Sequence, residues 1–514
     1  EIRTALGLKN TIACVSSVLF RKPNEIELFN RSEWLNMKIS GDWLFYLNII
    51  KSGKIAYSID SLCYYRLHNN NSSIKTYNQD VYYEEHESVA LEIAKNFNVP
   101  KGLLLKNRKY IHDFYLQFKS ADDKNFDNLF NKQKVLDSIN NRKLNIVISI
   151  LSFTHGGAEI MPMRLANQFK KMGHSIIVHS LEFLQEEKEI RKLLRNDIPV
   201  VRCKKPQEFY KFLIEFGIDI INTHSQLCQD LYSETVQRYP FIRKFVHHVG
   251  TLRGGYEIMS ENYQKEHIPL NNKNTDLWTY VADKNLLPFK NQQIEIKNKF
   301  IKIPNGIELP NGFSIDRESL KIDKDSFVLC CASRAIPEKG WYEAIDATNE
   351  ARRKSKKDIH LLLIGSGEVY DKLIESSWPY YIHILGFKNN PISYFAISDV
   401  GILFSTYKAE SFPNSIVESL MVGKPIIASN LGEIPEMIND GKEKAGEVNN
   451  IVNNNIPVEE AARLIVRFIE NKGLYDRYQE IAKKISHKFE IDNIASSYLE
   501  VYHSAVNFHK REIS

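Results

Sequence analysis

LNIVISILSFTHGGAEIMPMRLANQFKKMGHSIIVHSL, residues 144–181, reads as strand, turn, helix and strand in succession. LNIVISI (144–150) is an apolar run of strand length, Gly156 and Gly157 make the turn, AEIMPMRLANQFKKMG carries apolar residues at helical spacing, and HSIIVHSL is apolar again. Outward from this unit the alternation continues. EKEIRKLLRN is a helix, and PVVRC (199–203), DIINTHS (219–225), RKFVHHVG (243–250) and KFIKIPNGI (299–307) are strands. A second series then starts, with strands FVLCCAS (327–333), IHLLLIG (359–365), YIHILG (381–386), VGILFS (400–405) and PIIAS (425–429). Helical segments such as WYEAIDATNEARRK and EVYDKLIESS lie between them. Short apolar runs separated by helices predict parallel sheets covered on both faces.

The expected fold class is α/β: two Rossmann-like, doubly wound domains whose strand C-terminal ends face a common cleft, the place where such sheets bind ligands. Their expected extents are 143–308 and 309–486, with the turn-rich PNGIELPNG (304–312) as a hinge. Residues 487–514 hold a C-terminal helix expected to pack back on the first domain. Residues 98–142 are charged and helical in pattern without a clear core, as in a helical linker. Residues 1–97 read as a separate unit, with strand-like IACVSSVLF, a helix over 41–51 and strand-like IAYSIDSLCYYRL. The chain opens on Glu1 in mid-pattern, which is the expectation for a piece of something longer.

At 514 residues the chain exceeds the size at which a single core stops growing. A formal charge of +5 over this length lacks the concentrated basic face of a nucleic-acid binder. No apolar run is long enough to span a bilayer. The cysteines (Cys14, Cys63, Cys203, Cys228, Cys330, Cys331) are scattered with no C-x-x-C pair, which argues against a zinc site and suits a reducing cytoplasm. Cys330 and Cys331 sit in an apolar strand as packing residues.

AESFPNSIVESLMVGKPIIAS (409–429) carries the chemistry. Glu410 and Glu418 flank a strand-to-helix turn with Pro413 near the helix start, where its missing N–H costs nothing. The helix N-terminus offers unpaired N–H groups and a positive dipole end, which suit a phosphate, and the two acids suit sugar hydroxyls. A nucleotide sugar needs both. Arg334 and Lys339, just past FVLCCAS, are placed to stabilise charge on a leaving diphosphate, their bland reading being two surface cations. Gly156 and Gly157 allow close backbone approach to a ligand, or serve only a tight turn.

These motifs, in their order, resemble the retaining GT-B glycosyltransferases of family 4 over about residues 144–485. GGAE (156–159) matches the glycine-rich loop, IPNGIE (303–308) the interdomain motif, SRAIPEKG (333–340) the Arg-x4-Lys pair, Glu410 to Glu418 the E-x7-E motif, and LGEIPEMI (431–438) the element after it. The resemblance implies that Glu410 contacts donor sugar hydroxyls and Glu418 the nucleotide ribose. It implies that the N–H groups near Asn414, Ser415 and Ile416 cradle the diphosphate. Glu418 has a second reading, a polar helix face, because Ile416, Val417, Leu420 and Met421 form the apolar face without it. Asn305 and Gly306 either bind the donor or only shape the hinge. A histidine near the end of the VHHVG strand is expected at the donor sugar. His247 and His248 point to opposite faces of a strand, so one of them packs; His248 is favoured slightly, with His224 as a second candidate. The family's retaining transfer proceeds through an oxocarbenium-like state, with the leaving phosphate helping to deprotonate the acceptor. It uses no metal, and no cofactor is expected for this half.

SGDWLFYLNIIKSGKIAYSIDSLCYYRLHNNNSS (40–73) resembles instead the end of a family 2 GT-A glycosyltransferase domain. Asp42 and Trp43 match that family's Asp-Trp, with the Asp as general base of an inverting transfer. Tyr65, Arg66 and His68 match its segment near metal and diphosphate. The nucleotide-binding strands and the metal-binding D-x-D would lie upstream, so a divalent metal is expected only where that missing half is present, and this incomplete GT-A-like piece is expected to be inactive. An N-cap role for Asp42 is compatible with either reading.

The expected activity is therefore a hexosyltransferase-type transfer from a nucleotide sugar to a glycan or lipid-linked acceptor, in bacterial-type envelope polysaccharide biosynthesis. A nucleotide-sugar epimerase, a phosphorylase or a non-catalytic nucleotide-binding scaffold are the alternatives on the same fold. No nucleic-acid partner is expected. A cytoplasmic location is expected, with peripheral contact at the inner face of a membrane through a basic helix bearing Arg164, Lys170 and Lys171, whose commoner reading is a solvated face.

Overall fold

A computed structural model describes residues 32–50, 76–119, 123–140 and 143–508, apart from the single positions 98, 100, 155 and 311. The chain divides into two units, Glu1–Leu144 and Asn145–Ser514. Among the described residues no helix is long and apolar enough to cross a membrane.

The first unit is helical where described, with helices Gly41–Ile50, Asp80–Asn96, Lys101–Lys119, Asp123–Leu129 and Lys132–Asn140. Residues 98–142 do not behave as a coreless linker. Leu104, Ile111, Tyr115, Phe126, Phe130, Val135 and Ile139 share one buried cluster with Trp34, Trp43, Leu47 and Tyr83. These apolar positions recur at helical intervals of four and seven, and the charged residues between them hid the stripe. Glu85 secures the entry to the Gly41 helix by accepting the backbone N–H groups of Lys38, Ile39 and Ser40 at 2.7–2.8 Å. Asp42 lies in that helix's first turn, where a carboxylate opposes the helix dipole favourably. Trp43 is a core residue packed edge-on against His86. Tyr65, Arg66 and His68 lie outside the described residues, as do both strand-like segments of this unit.

The second unit contains two parallel sheets. The first holds β1 (Asn145–Ile150), β2 (Ser175–Ser180), β3 (Val200–Arg202), β4 (Ile220–Thr223), β5 (His247–Leu252), β6 (Leu277–Tyr280) and β7 (Phe300–Lys302), in the order β3-β2-β1-β4-β5-β6-β7. The second holds β8 (Phe327–Ala332), β9 (Ile359–Ile364), β10 (Ile382–Gly386), β11 (Val400–Leu403), β12 (Ile426–Ser429) and β13 (Gly446–Asn449), in the order β10-β9-β8-β11-β12-β13. The expectation of two Rossmann-like domains is borne out. β6 and β13 are additions: each has only four residues, and the charged Glu447 interrupts the apolar signal of β13.

The strand order reverses between β1 and β4 in one sheet and between β8 and β11 in the other. At such a switch the following helices leave on opposite faces, opening a crevice beyond the strand C-terminal ends. The chain after the second sheet returns to the first. The Ile307 N–H bonds to the Phe489 carbonyl at 2.8 Å, and helix Ile491–Phe508 then packs on helix Gly157–Lys171 and β5. Tyr502 of that helix donates to Asn222 Oδ1 at 2.8 Å inside the first domain.

Candidate active site

Both switch points open into one cavity of about 690 Å³. Gly156 and Gly157 follow β1, His224 follows β4, Arg334 follows β8 and Glu410 follows β11, and all five line it. Asn305, Lys339, Asn414, Ser415 and Glu418 line it as well.

The wall built on β8 and β11 is dense in paired charge. Lys339 and Glu410 form a direct ion pair with both side chains about nine-tenths buried. Lys339 ends a short 3-10 turn, and Gly340 takes φ +73° so that the helix Trp341–Lys354 can begin at once. A side chain at Gly340 would run into the Phe404 carbonyl, so the turn admits glycine alone. Tyr407 receives two cations on its ring, the Arg334 guanidinium at 5.1 Å and the Lys339 ammonium at 5.0 Å. That fixes where both positive groups stand.

Helix Asn414–Met421 starts after Pro413, which acts as its N-cap. The N–H groups of Asn414 and Ser415 open the helix, where no intrahelical acceptor exists. Ile416 differs from its expected role: its N–H bonds to the Pro413 carbonyl at 3.2 Å and its side chain is core. Glu418 does not lie on a solvated face. It is buried at the cavity wall and accepts from Arg164 at 3.1 Å. Burial raises its carboxyl above the usual range, against the opposing pull of Arg164. Arg164 thus reaches across the cleft instead of facing outward with Lys170 and Lys171.

The opposite wall comes from the first domain. A Cβ at Gly157 would meet the Asn414 amide at 3.3 Å, so the Gly-Gly loop comes close to the helix start across the cleft. Asn305 ties the two walls together. Its amide donates to the Phe412 carbonyl at 3.0 Å and to Asn414 Oδ1 at 2.9 Å, while Arg253 donates to its Oδ1. Gly306 is outside the cavity lining; it packs under Ile494 of the C-terminal helix.

His248 is corrected. It is the second residue of β5, about 13 Å below the strand's C-terminal end at 3.3 Å per residue. Thr223 Oγ1 and Thr275 Oγ1 bind its two ring nitrogens at 2.9 and 3.0 Å, and Tyr232 covers its face. Burial pushes its pKa down to about 3, so it is a neutral packing residue. The difference is one of register: the expected strand spans 243–250, whereas the observed one runs 247–252 and delivers Arg253 to the cleft. Among the described residues His224 is the histidine at the cavity. Burial, followed by the nearby Arg253 charge, holds its pKa well below the ordinary value.

Glu159, at the head of helix Gly157–Lys171, also lines the cavity. Burial lifts its carboxyl to about 7, although Arg334 and Arg253 both pull it down. Its place in GGAE was visible in the sequence, but nothing in the spacing marked its burial. Arg253, Arg164 and Tyr407 had no sequence signal of their own, since each acts through residues distant in the chain. Among the described residues no cluster of three or more His, Cys, Asp or Glu side chains could hold a metal.

Residues 313–485 match the family described as Glycosyl transferases group 1. Two uncharacterized glycosyltransferases of Methanocaldococcus jannaschii are similar in sequence. MJ1069 is 27% identical over 213 residues, which is 40% of this chain and 53% of that protein. MJ1178 is 23% identical over 359 residues, 68% of this chain and 94% of that protein. The chain thus spans about half the length of the first relative and nearly all of the second. Among solved structures, Anabaena Alr3699/HepE in complex with UDP and glucose superposes with a TM-score of 0.57 at 20% identity, over 70% of this chain and 99% of that one. The two Rossmann-like domains are those of the GT-B fold, and the second carries a glycosyl transferases group 1 domain.

Proposed function

We propose that the cleft transfers a sugar, with retention of configuration, from a nucleotide-sugar donor to a glycan or lipid-linked acceptor. The observation that carries this reading is the buried Lys339–Glu410 pair beside Arg334 and an open helix N-terminus, all in one cavity facing a glycine loop. In this reading the N–H groups of Asn414 and Ser415 and the Arg334 and Lys339 cations receive the diphosphate. Negative charge grows there as the glycosidic bond breaks, so fixed cations stabilise the transition state more than the ground state. Glu410, held by Lys339, accepts from hydroxyls of the donor sugar, and Glu418 takes the ribose, exchanging or sharing Arg164. No carboxylate nucleophile is assigned; the departing phosphate takes the acceptor's proton on the same face.

The finer family 4 reading, a role in envelope polysaccharide assembly and a cytoplasmic site at the membrane's inner face belong to the same proposal. So does the reading of residues 1–97 as the end of a family 2 GT-A domain with Asp42 at the base position. The similarity of the GT-B half to proteins crystallised with UDP supports a uridine donor as the first to try.

Thermal unfolding in the presence of UDP-, GDP- and ADP-sugars tests the proposal. A ligand that binds only the folded state adds about 2.7 kcal/mol at a hundredfold excess over its Kd. One nucleotide class should raise the melting temperature by several degrees. No shift with any of the three would contradict a donor site.

A further inference from the structure

His224 and Arg253 meet at the ends of adjacent strands, with Arg253 Nε 3.3 Å from His224 Nδ1. A guanidinium Nε carries a hydrogen and offers no lone pair, so Nδ1 is the acceptor of this bond and bears no hydrogen. A protonated ring would turn a second donor against Arg253. The imidazole is therefore neutral, with its hydrogen on Nε2. That nitrogen is buried and finds no acceptor among the described residues. A buried N–H left unmet costs about 1–3 kcal/mol, and His224 lines the cavity from which a substrate oxygen would meet it.

The guanidinium is itself fixed from three sides. Its remaining groups donate to Asn305 Oδ1 at the hinge and, at 3.3 Å, to Tyr498 of the C-terminal helix. All three of these acceptors are neutral, so the arrangement holds a direction as well as a charge. The geometry points to Arg253 as a positioning residue that locks His224 in its neutral Nε2–H form, making His224 a hydrogen-bond donor to a substrate oxygen and not a proton acceptor. The titratable groups that act on the pair are Tyr498 and Tyr502 of the C-terminal helix and Glu159 on helix Gly157–Lys171, all through Arg253. Of these, Glu159 faces Arg253 and offsets its charge without reaching the ring nitrogens. The identity of the substrate oxygen rests on the sugar-transfer reading; the lock does not.

Two-bond proton–nitrogen NMR of the full chain labelled with 15N-histidine tests the lock without any substrate. The His224 signal is assigned by its loss in His224→Gln. Its Nε2 should show the protonated shift and its Nδ1 the unprotonated one, without titration between about pH 5.5 and 8.5, where a free imidazole would change state. In Arg253→Met the ring should stay neutral, because burial is the larger cause of its low pKa, but should mix tautomers once Nδ1 has no donor facing it. An Nδ1–H tautomer, an imidazolium in that range, or an unchanged signal in Arg253→Met would overturn the proposal. If Arg253→Met does not fold, the wild-type spectrum alone decides. Because the readout uses no donor, its failure leaves sugar transfer standing, and absent transfer leaves the lock standing.

Discussion

The two walls of the cleft differ in how their charges are met. On the β8–β11 side Lys339 answers Glu410, and Tyr407 braces both cations. On the β1–β5 side His224 Nε2 and Arg164 Nη1 are buried without a partner among the described residues, and Glu159 sits in a site that disfavours its ionised form. A wall whose charges already neutralise one another is preorganised, and binding costs it little rearrangement. A wall with unmet donors is complete only when a ligand supplies the acceptors. Under the sugar-transfer proposal, the second domain supplies electrostatic stabilisation and the first supplies hydrogen bonds completed by substrate.

The largest effect expected is at the paired wall. Lys339→Ala should lower kcat about 10²–10³-fold, the usual loss for one fixed transition-state donor. It should also lower stability by about 3–5 kcal/mol, because Glu410 is left buried and alone. Turnover with the donor found by thermal screening, together with chemical unfolding, measures both, and near-normal turnover in the folded variant would break the contrast.

Next comes the histidine pair. His224→Ala should cost about tenfold in turnover, the equivalent of about 1.4 kcal/mol for one hydrogen bond to substrate, and some stability as well, because the buried Arg253 Nε loses its acceptor. His248→Ala should lower stability alone, because two threonine hydroxyls lose their ring partner inside the sheet. Turnover and melting temperature of the two variants side by side give the answer; a folded His248→Ala protein without activity would return that residue to the cleft.

Glu159 offers a pH test. Its folded pKa, about 7, lies above the ordinary carboxylate value near 4.5. The folded state therefore holds a proton that the unfolded chain releases, and stability falls as pH rises from about 4.5 to 7, then levels off. Glu159→Gln removes that decline, so its stability advantage over wild type should grow across this window and be absent below it. A parallel pair of stability–pH curves would show that the carboxyl is not buried as described.

The smallest effect is at Tyr407. Tyr407→Leu removes two cation–π contacts worth roughly 0.5–1 kcal/mol each at a partly exposed site. A rise in donor KM of a few-fold, with kcat nearly intact, would sharpen the bracing role; no change would remove it.

The paired wall was legible in the sequence because its parts are local. Arg334 and Lys339 lie within one turn after β8, and Glu410 and Glu418 within one strand-to-helix turn. Apart from β6 and β13, the strands of the two sheets were legible for the same reason, as continuous apolar runs. The other wall depends on register: a shift in where β5 starts moves His248 from the cleft into the core and brings Arg253 out. Arg164 was read as surface charge because its partner, Glu418, is 254 residues away. The helical unit before Asn145 hid its core because charged residues fill the intervals of four and seven between its apolar positions, and the cluster closes only when several helices pool their stripes.

The central claim is tested most directly by the anomeric configuration of the product. The protein is incubated with the stabilising nucleotide sugar and a panel of glycan and polyprenyl-phosphate acceptors, and the new linkage is read by proton NMR coupling. Release of the nucleoside diphosphate and a linkage with the donor's own anomeric configuration are expected, both strongly reduced in Lys339→Ala. An inverted linkage, or transfer that survives Lys339→Ala unchanged, would contradict the claim.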